Sequence, residues 1–336
     1  VMPGTTRSTG LEEALAFAAE HGAVMLKAMA GGGGRGMRAV RDPTELEAVY
    51  EICRSEALQS FGIGDLYVEK LLPAARHIEV QVIGDGSGSV THLWERDCSV
   101  QRRHQKLIEI APAPNLSGEL RTKLLEAATV LARHVDYDSL GTLEFLVRPD
   151  GFWFMEANPR LQVEHTITEE ITGIDLVQAQ IRVALGEKLT GMGLSEPPPV
   201  RGFAIQARVN LETLREDGTP VPRAGRLAVY APPRGPDVRV DDYGYAGYET
   251  SLRYDSLLAK VIARGASFGE AAETCHEALR QFTVDGVPTN IPLLMSVLAC
   301  PVFLSGHFDT SFIAANLADL LASAETQLAM VSPGPP

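Results

Sequence analysis

The 336 residues contain only four cysteines, Cys53, Cys98, Cys275 and Cys300, far apart and with no Cys-x-x-Cys pair. That spacing argues against a disulfide framework and against a zinc site, and it fits a reducing, cytoplasmic setting. Excess positive charge is lacking too: 30 basic against 43 acidic residues leave a formal charge of −13. The phosphates of nucleic acid or of an anionic membrane would be repelled, so neither is expected as a partner. No apolar run approaches the roughly 18 residues of a membrane span. The sequence itself shows no signal-peptide pattern; it opens at Val1 in a turn-like Met-Pro-Gly-Thr and reads as a piece of something longer. The P-loop pattern GxxxxGK[ST], a Rossmann fingerprint in its usual context and any internal repeat are likewise missing. What remains is an ordinary globular composition, 45% hydrophobic and 22% charged. Its length implies two domains, or one large domain with a subdomain.

Periodicity predicts helices over 11–21, 43–60, 117–135, 167–185, 268–282, 289–299 and 311–323. Strands are expected over 23–28, 68–71, 77–83, 90–95, 142–148, 152–156, 203–209 and 226–230. The Gly- and Pro-rich stretch 186–202 reads as a long connection. Strands and helices mix without strict alternation, so the fold class is α+β and not a doubly wound sheet.

Three stretches carry chemistry. Gly31, Gly32, Gly33, Gly34 and Gly36 follow a strand bearing Lys27 and flank Arg35. Glycines let backbone N–H groups close on phosphate oxygens, so a mobile lid over a nucleotide and a flexible surface loop both fit.

The run Glu156-Ala-Asn158-Pro-Arg160-Leu-Gln162-Val-Glu164-His165 places polar groups at every even position. In extended chain these share one face. A solvated strand would do the same, yet this face offers carboxylate, amide and guanidinium in place of Lys, Thr and Ser. Before it, Pro149-Asp150-Gly151 suits a three-residue hairpin loop. That register sets Glu144 opposite Glu156, whereas a two-residue loop would put them on opposite faces. Two facing carboxylates repel unless a divalent cation such as Mg²⁺ lies between them.

The third stretch, Arg96 to Lys106 (RDCSVQRRHQK), is a basic island in an acidic chain. It reads as a solvated turn or, because Gln101 and His104 are interleaved with the cations, as contacts to an anion or a sugar hydroxyl. His77 fits either a core position or a ligand contact.

Taken together, LKAMAGGGGRGMR, VEKLL, RHIEVQVIGD, ERDCSVQRRHQKLIEIAPAP, GTLEFLV, FMEANPRLQVEHTITEEITGIDLV and RYDSLLAKVI resemble the biotin carboxylase component of biotin-dependent carboxylases, in the ATP-grasp superfamily. The resemblance covers nearly the whole chain. It implies an ATP-grasp lid subdomain over 1–71, a core with the magnesium and bicarbonate site over 72–190, a biotin carboxylase C-terminal domain over 191–325 and a disordered tail over 326–336.

It also implies roles. Lys27, Gly31, Gly32, Gly33, Gly34 and Gly36 would bind ATP phosphates, Glu69, Lys70 and Leu72 would frame the adenine, and His77, Gln101, His104 and Leu146 would contact the nucleotide. Glu144, Glu156 and Asn158 would hold Mg²⁺ (or Mn²⁺). Lys106, Arg160, Gln162 and the Val163 backbone would hold bicarbonate, Glu164 would be the general base, and Arg208 would stabilise the biotin enolate. The family's N-terminal domain has no counterpart here. Gln206 replaces a usual Glu, and Leu211-Glu-Thr-Leu-Arg-Glu-Asp replaces a usual Glu-Asp-Pro. No Met-Lys-Met biotinylation site is present. The implied partners are therefore a biotin carrier domain, a carboxyltransferase and the missing N-terminal domain, with a homo-oligomer expected. The alternatives are another ATP-grasp ligase, such as a carbamoyl-phosphate-forming enzyme, or a truncated non-catalytic fragment.

Overall fold

The computed structural model describes residues 1–31 and 36–331. They form two compact units, residues 1–75 with 153–155, and residues 76–152 with 156 onward.

The first unit contains α1 (Leu11–His21), β1 (Val24–Ala28), β2 (Met37–Val40), a 3-10 turn (Pro43–Glu45), α2 (Leu46–Phe61) and β3 (Leu66–Lys70). β1 is the central strand, antiparallel to both neighbours. Its alternation decides the packing: Val24, Leu26 and Ala28 are buried, while Met25 and Lys27 face the other way and are half-buried. The buried face shares a core with Leu46, Tyr50, Cys53 and Ala57 of α2 and with Ala14 and Ala18 of α1. Spacings of three and four keep one stripe of each helix inward. Gly32, Gly33 and Gly34, expected in the lid, lie outside the described residues.

The second unit contains β4 (Arg76–Asp85), β5 (Val90–Arg102), β6 (Gln105–Ala111), α3 (Gly118–His134), β7 (Asp138–Arg148), both ends of β8 (Gly151–Asn158, whose residues 153–155 group with the first unit), α4 (His165–Thr172), α5 (Leu176–Ala184), β9 (Phe203–Asn210), β10 (Glu212–Leu214), β11 (Pro220–Pro222), β12 (Val229–Ala231), β13 (Val238–Asp242), β14 (Leu257–Gly265), α6 (Phe268–Gln281), β15 (Thr283–Asp285), α7 (Ile291–Ala299), α8 (Pro301–Leu304), α9 (Phe312–Ala315) and α10 (Leu317–Val331). Eight strands make one sheet in the order β13-β14-β9-β6-β5-β4-β7-β8. The registered pairs are antiparallel, as an α+β fold requires. α3 packs on β4 and β5. α4 and α5 cover the sheet through Ile167 and Ile171, and through Leu176, Ala179 and Val183. The largest core joins β6, β9 and β14 to α6 and α7.

Several expectations are corrected. The helix expected over 167–185 is two helices, because Gly173 takes a left-handed φ of 72° and ends α4. Asp175 then caps α5 by accepting from the Gln178 N–H at 2.8 Å. The polar ladder is extended only to Asn158. Pro159 has no N–H to continue a ladder, and the chain turns before α4 begins at His165. The strand expected over 226–230 is the shorter β12, and β2, β6, β10, β11, β13, β14 and β15 lie outside the expected strands. α10 runs to Val331, into the stretch expected to be a tail.

β4 alternates as expected, yet both its faces are covered: His77, Glu79 and Gln81 are buried along with Ile78, Val80 and Val82. Near the end of this strand, Gly84 allows a close approach, since an added Cβ would lie 2.0 Å from the Tyr137 carbonyl oxygen. Gly84→Ala is expected to cost about 1–3 kcal/mol of stability, read as a lower urea midpoint. An unaltered midpoint would show that the junction yields.

Candidate functional site

Sheet register brings the site together. Glu144 on β7 pairs with Glu79 on β4, and Glu79 with Arg96 on β5. Gln101 on β5 pairs with Lys106 on β6, Glu109 on β6 with Gln206 on β9, and Arg208 on β9 with Lys260 on β14. Two carboxylates directly opposite each other destabilise a sheet, and here a lysine separates them. Lys106 Nζ lies 2.7 Å from Glu79 Oε2, 3.3 Å from Glu144 Oε1 and 2.5 Å from Glu164 Oε1. Arg96, fully buried, donates Nε to Glu79 and Nη1 to Gln81 and Thr168. Arg208 donates Nη2 to Glu164 Oε2 at 3.0 Å and Nε to Glu109. Gln206 donates to the other oxygen of Glu109 at 2.9 Å. Three cations thus face four buried carboxylates.

These neighbours set the protonation states. Burial pushes the Glu79 carboxyl up, but Lys106 and Arg96 outweigh it and hold it down at about 2. Burial also opposes ionisation of Glu144, and His77 and Lys106 hold it down at about 2. Glu164 is enclosed and lies near Glu79, both of which disfavour its charge. Lys106 and Arg208 still keep it below the ordinary carboxylate value. Glu109 moves the other way, raised by burial despite Arg208. His77 Nε2 is 3.0 Å from Glu144 Oε2 and its Nδ1 is 2.7 Å from Gln101 Nε2. The Gln101 amide nitrogen can only donate, so Nδ1 accepts and the ring hydrogen sits on Nε2.

Strand ends at Arg148 and Gly151 leave two residues in the hairpin turn, not three. Glu144 and Glu156 nevertheless share a face. Asn158 Nδ2 donates to Glu144 Oε1 at 3.1 Å and to Glu156 Oε1 at 3.3 Å. This oxygen-rich group, with His77 and Glu79 beside it, has the hard donors that a divalent cation takes.

Gln162 is buried, and its Nε2 donor has no partner among the described residues. The Val163 carbonyl accepts from Lys260 Nζ at 3.1 Å. Arg160 is exposed and turns its guanidinium to the Leu161 carbonyl. Leu146 pairs with His77 across the sheet, and His104 sits in the β5–β6 turn with φ 68°.

The basic island is no solvated run. Arg102 is buried and donates to Glu212 at 2.7 Å, while the exposed Arg103 pairs with Asp217. In the first unit, Lys27 Nζ lies 2.5 Å from Glu69 Oε2, and Lys70 ends β3 shortly before Leu72. Gly31 donates its N–H to Ala28, and Gly36 has φ 70° where an added Cβ would press on Ala28.

Sequence reasoning missed Glu79, Arg96, Glu109 and Lys260 as members of the site. For three of them a signal existed: Glu79, Glu109 and Lys260 are charged residues between apolar strand neighbours, as in Ile78-Glu79-Val80 and Ile108-Glu109-Ile110, whereas Arg96 stands between Glu95 and Asp97 and has no such local mark.

Residues 1–192 match the family described as carbamoyl-phosphate synthase L chain, ATP binding domain, and residues 206–315 match the biotin carboxylase C-terminal domain. Pyruvate carboxylase 1 of Caenorhabditis elegans is 49% identical over 318 residues, covering 93% of this chain and 27% of its own length. The chain therefore spans about a quarter of the curated relatives it matches. Among solved structures, the biotin carboxylase domain dimer of Hydrogenobacter thermophilus 2-oxoglutarate carboxylase, in complex with MgADP, ADP and bicarbonate, superimposes with a TM-score of 0.89 at 40% identity, covering 95% of this chain and 70% of that one. A biotin carboxylase–β-γ-ATP complex from Campylobacter jejuni gives 0.88 at 40%, with 94% and 70% covered.

Two outcomes follow from the electrostatics. Arg96→Leu strands Glu79 beside Glu144 and is expected to cost about 3–5 kcal/mol in urea unfolding. Glu79 and Glu144 are held down at about 2, against about 4.3 unfolded. Their contribution is therefore complete above pH ~4.3 and is lost as pH falls toward ~2. A stability profile flat between pH 5 and 2.5 would contradict it.

Proposed function

The chain belongs to the biotin carboxylase family of biotin-dependent carboxylases, with an ATP-grasp fold followed by a biotin carboxylase C-terminal domain, and from that premise we propose that it carboxylates biotin on a carrier with ATP and bicarbonate, by way of carboxyphosphate. The observation that carries the reading is Glu164, an enclosed carboxylate held ionised between Lys106 and Arg208, two residues from Gln162, whose Nε2 has no partner among the described residues. A buried donor without an acceptor suits a small anion.

In this reading Lys106, Arg160, Gln162 and the Val163 backbone hold bicarbonate. Glu164 takes its proton, because bicarbonate is a poor nucleophile until deprotonated. The oxygen freed attacks the γ-phosphoryl of ATP, ADP leaves, and carboxyphosphate results. Lys27 offsets charge on the phosphoryl oxygens, and Gly31, Gly36 and the glycines between them close over the phosphates, keeping water from the intermediate. Glu69, Lys70 and Leu72 frame the adenine, while His77, Gln101, His104 and Leu146 contact the nucleotide. Glu144, Glu156 and Asn158 would hold Mg²⁺ (or Mn²⁺), which when bound neutralises phosphate charge. Carboxyphosphate then breaks into CO₂ and phosphate, and the phosphate accepts the proton of biotin N1. Arg208 stabilises the enolate, which takes up CO₂.

Residues 1–71 serve as the lid subdomain, 72–190 as the core with the anion and metal site and 191–325 as the C-terminal domain. The partners are a biotin carrier and a carboxyltransferase, in the same longer chain or on separate subunits, and the carboxyltransferase selects the final acceptor.

In the full-length protein, ADP release should depend on bicarbonate and rise with free biotin. Glu164→Gln should lower carboxylation by about 10²–10⁴-fold. Turnover retained in that variant would remove Glu164 as the base, and ammonia in place of biotin as the substrate consumed would favour a carbamoyl-phosphate-forming ligase.

A further inference from the structure

The turn between β8 and α4 carries Gln162, Val163 and Glu164, and nothing in a loop that follows a proline makes it rigid by itself. Two side chains outside the assigned set pin it from different directions. His165 lies at the start of α4. Its backbone N–H reaches the Gln162 carbonyl at 3.2 Å and its ring Nδ1 reaches the same oxygen at 2.7 Å. A carbonyl can only accept, so Nδ1 carries hydrogen. In a planar trans peptide the Gln162 carbonyl and the Val163 N–H point in opposite directions. Fixing the carbonyl on the His165 side therefore aims the Val163 N–H away from the helix.

Lys260 arrives from β14, where it is the cross-strand partner of Arg208. Its side chain is only 12% exposed, its Nζ lies 3.2 Å from Asp241 Oδ2, and it donates to the Val163 carbonyl at 3.1 Å. By the same planarity this contact sets the direction of the Glu164 N–H and hence the path of the chain into the residue that Lys106 and Arg208 hold. Both peptide planes of the turn are thus oriented, one by an imidazole and one by an ammonium.

We infer that His165 and Lys260 are positioning residues for anion recognition: they orient the 162–163 and 163–164 peptides so that the Val163 N–H, the Gln162 amide and the Glu164 carboxylate meet one bicarbonate ion. The inference rests on the function proposed above. Neither residue touches the anion. Their loss weakens bicarbonate capture while the nucleotide contacts made by His77 and Gln101, on other strands, stay in place.

The test uses the full-length carboxylase, with initial rates of ADP release measured against bicarbonate and against ATP. Lys260→Met is expected to raise the bicarbonate KM by about tenfold, the effect of one charge-assisted hydrogen bond, with the ATP KM within about twofold. His165→Leu should do the same. His165→Asn, whose side-chain amide can replace the Nδ1–H donor, should recover most of the bicarbonate affinity. Bicarbonate KM unmoved in both Lys260→Met and His165→Leu overturns the inference. So does an equal loss in bicarbonate and ATP terms with a lowered melting temperature and no recovery in His165→Asn, because that is the pattern of a structural role. A wild-type enzyme without bicarbonate-dependent ADP release would instead refute the function itself.

Discussion

The second unit depends on how charge is buried inside its large sheet. Glu79 and Glu144 stand opposite each other on adjacent strands, an arrangement that repels unless a cation intervenes. Lys106 intervenes from β6 and at the same time grips Glu164. Arg96 supports Glu79 from behind, and Arg208 holds Glu164 and Glu109 from the far side. Glu79, Glu144 and Glu164 are held below the ordinary carboxylate value by the cations that touch them, whereas burial raises Glu109 despite Arg208, and each cation tolerates enclosure because carboxylates surround it. A single deletion leaves an uncompensated charge, which costs more than the intact pair contributes.

The same network is suited to chemistry because its charges are fixed before any substrate arrives. Reorganising dipoles during a reaction is costly, whereas groups already oriented are not. Glu164 illustrates the balance. It is kept ionised, as a proton acceptor must be, by two cations that an incoming anion could also engage. Gln206 gives Glu109 a neutral donor across the β6–β9 pair, so this part of the site is satisfied without adding a further carboxylate.

The helices serve this arrangement more than they decorate the sheet. Gly173 ends α4 after two turns and lets Asp175 start α5. α4 therefore stays short, with Glu164 and His165 at its start and Thr168 turned to Arg96. One long helix through 185, as periodicity alone suggested, would not have turned there.

Much of the fold class and of the site was legible in the order of residues. Alternation in HIEVQVI and in the run after Glu156, the glycines after Lys27 and the interleaved Gln101, His104 and Lys106 are local patterns, and local patterns survive without coordinates. The α+β reading and the sharing of one face by Glu144, Glu156 and Asn158 came from them. What the order of residues could not decide is which strands become neighbours. Glu79 looked like an ordinary strand residue until β4 was seen lying between β5 and β7, and Glu109 until β6 was seen beside β9. A buried charge is recognised by its partner, and Glu79, Arg96, Lys106 and Arg208 find theirs on strands brought together only by the folded sheet. Pairing between strands distant in sequence is set by the packing of the whole chain, and so the identity of the groups was written locally while their joining into one site was decided in three dimensions.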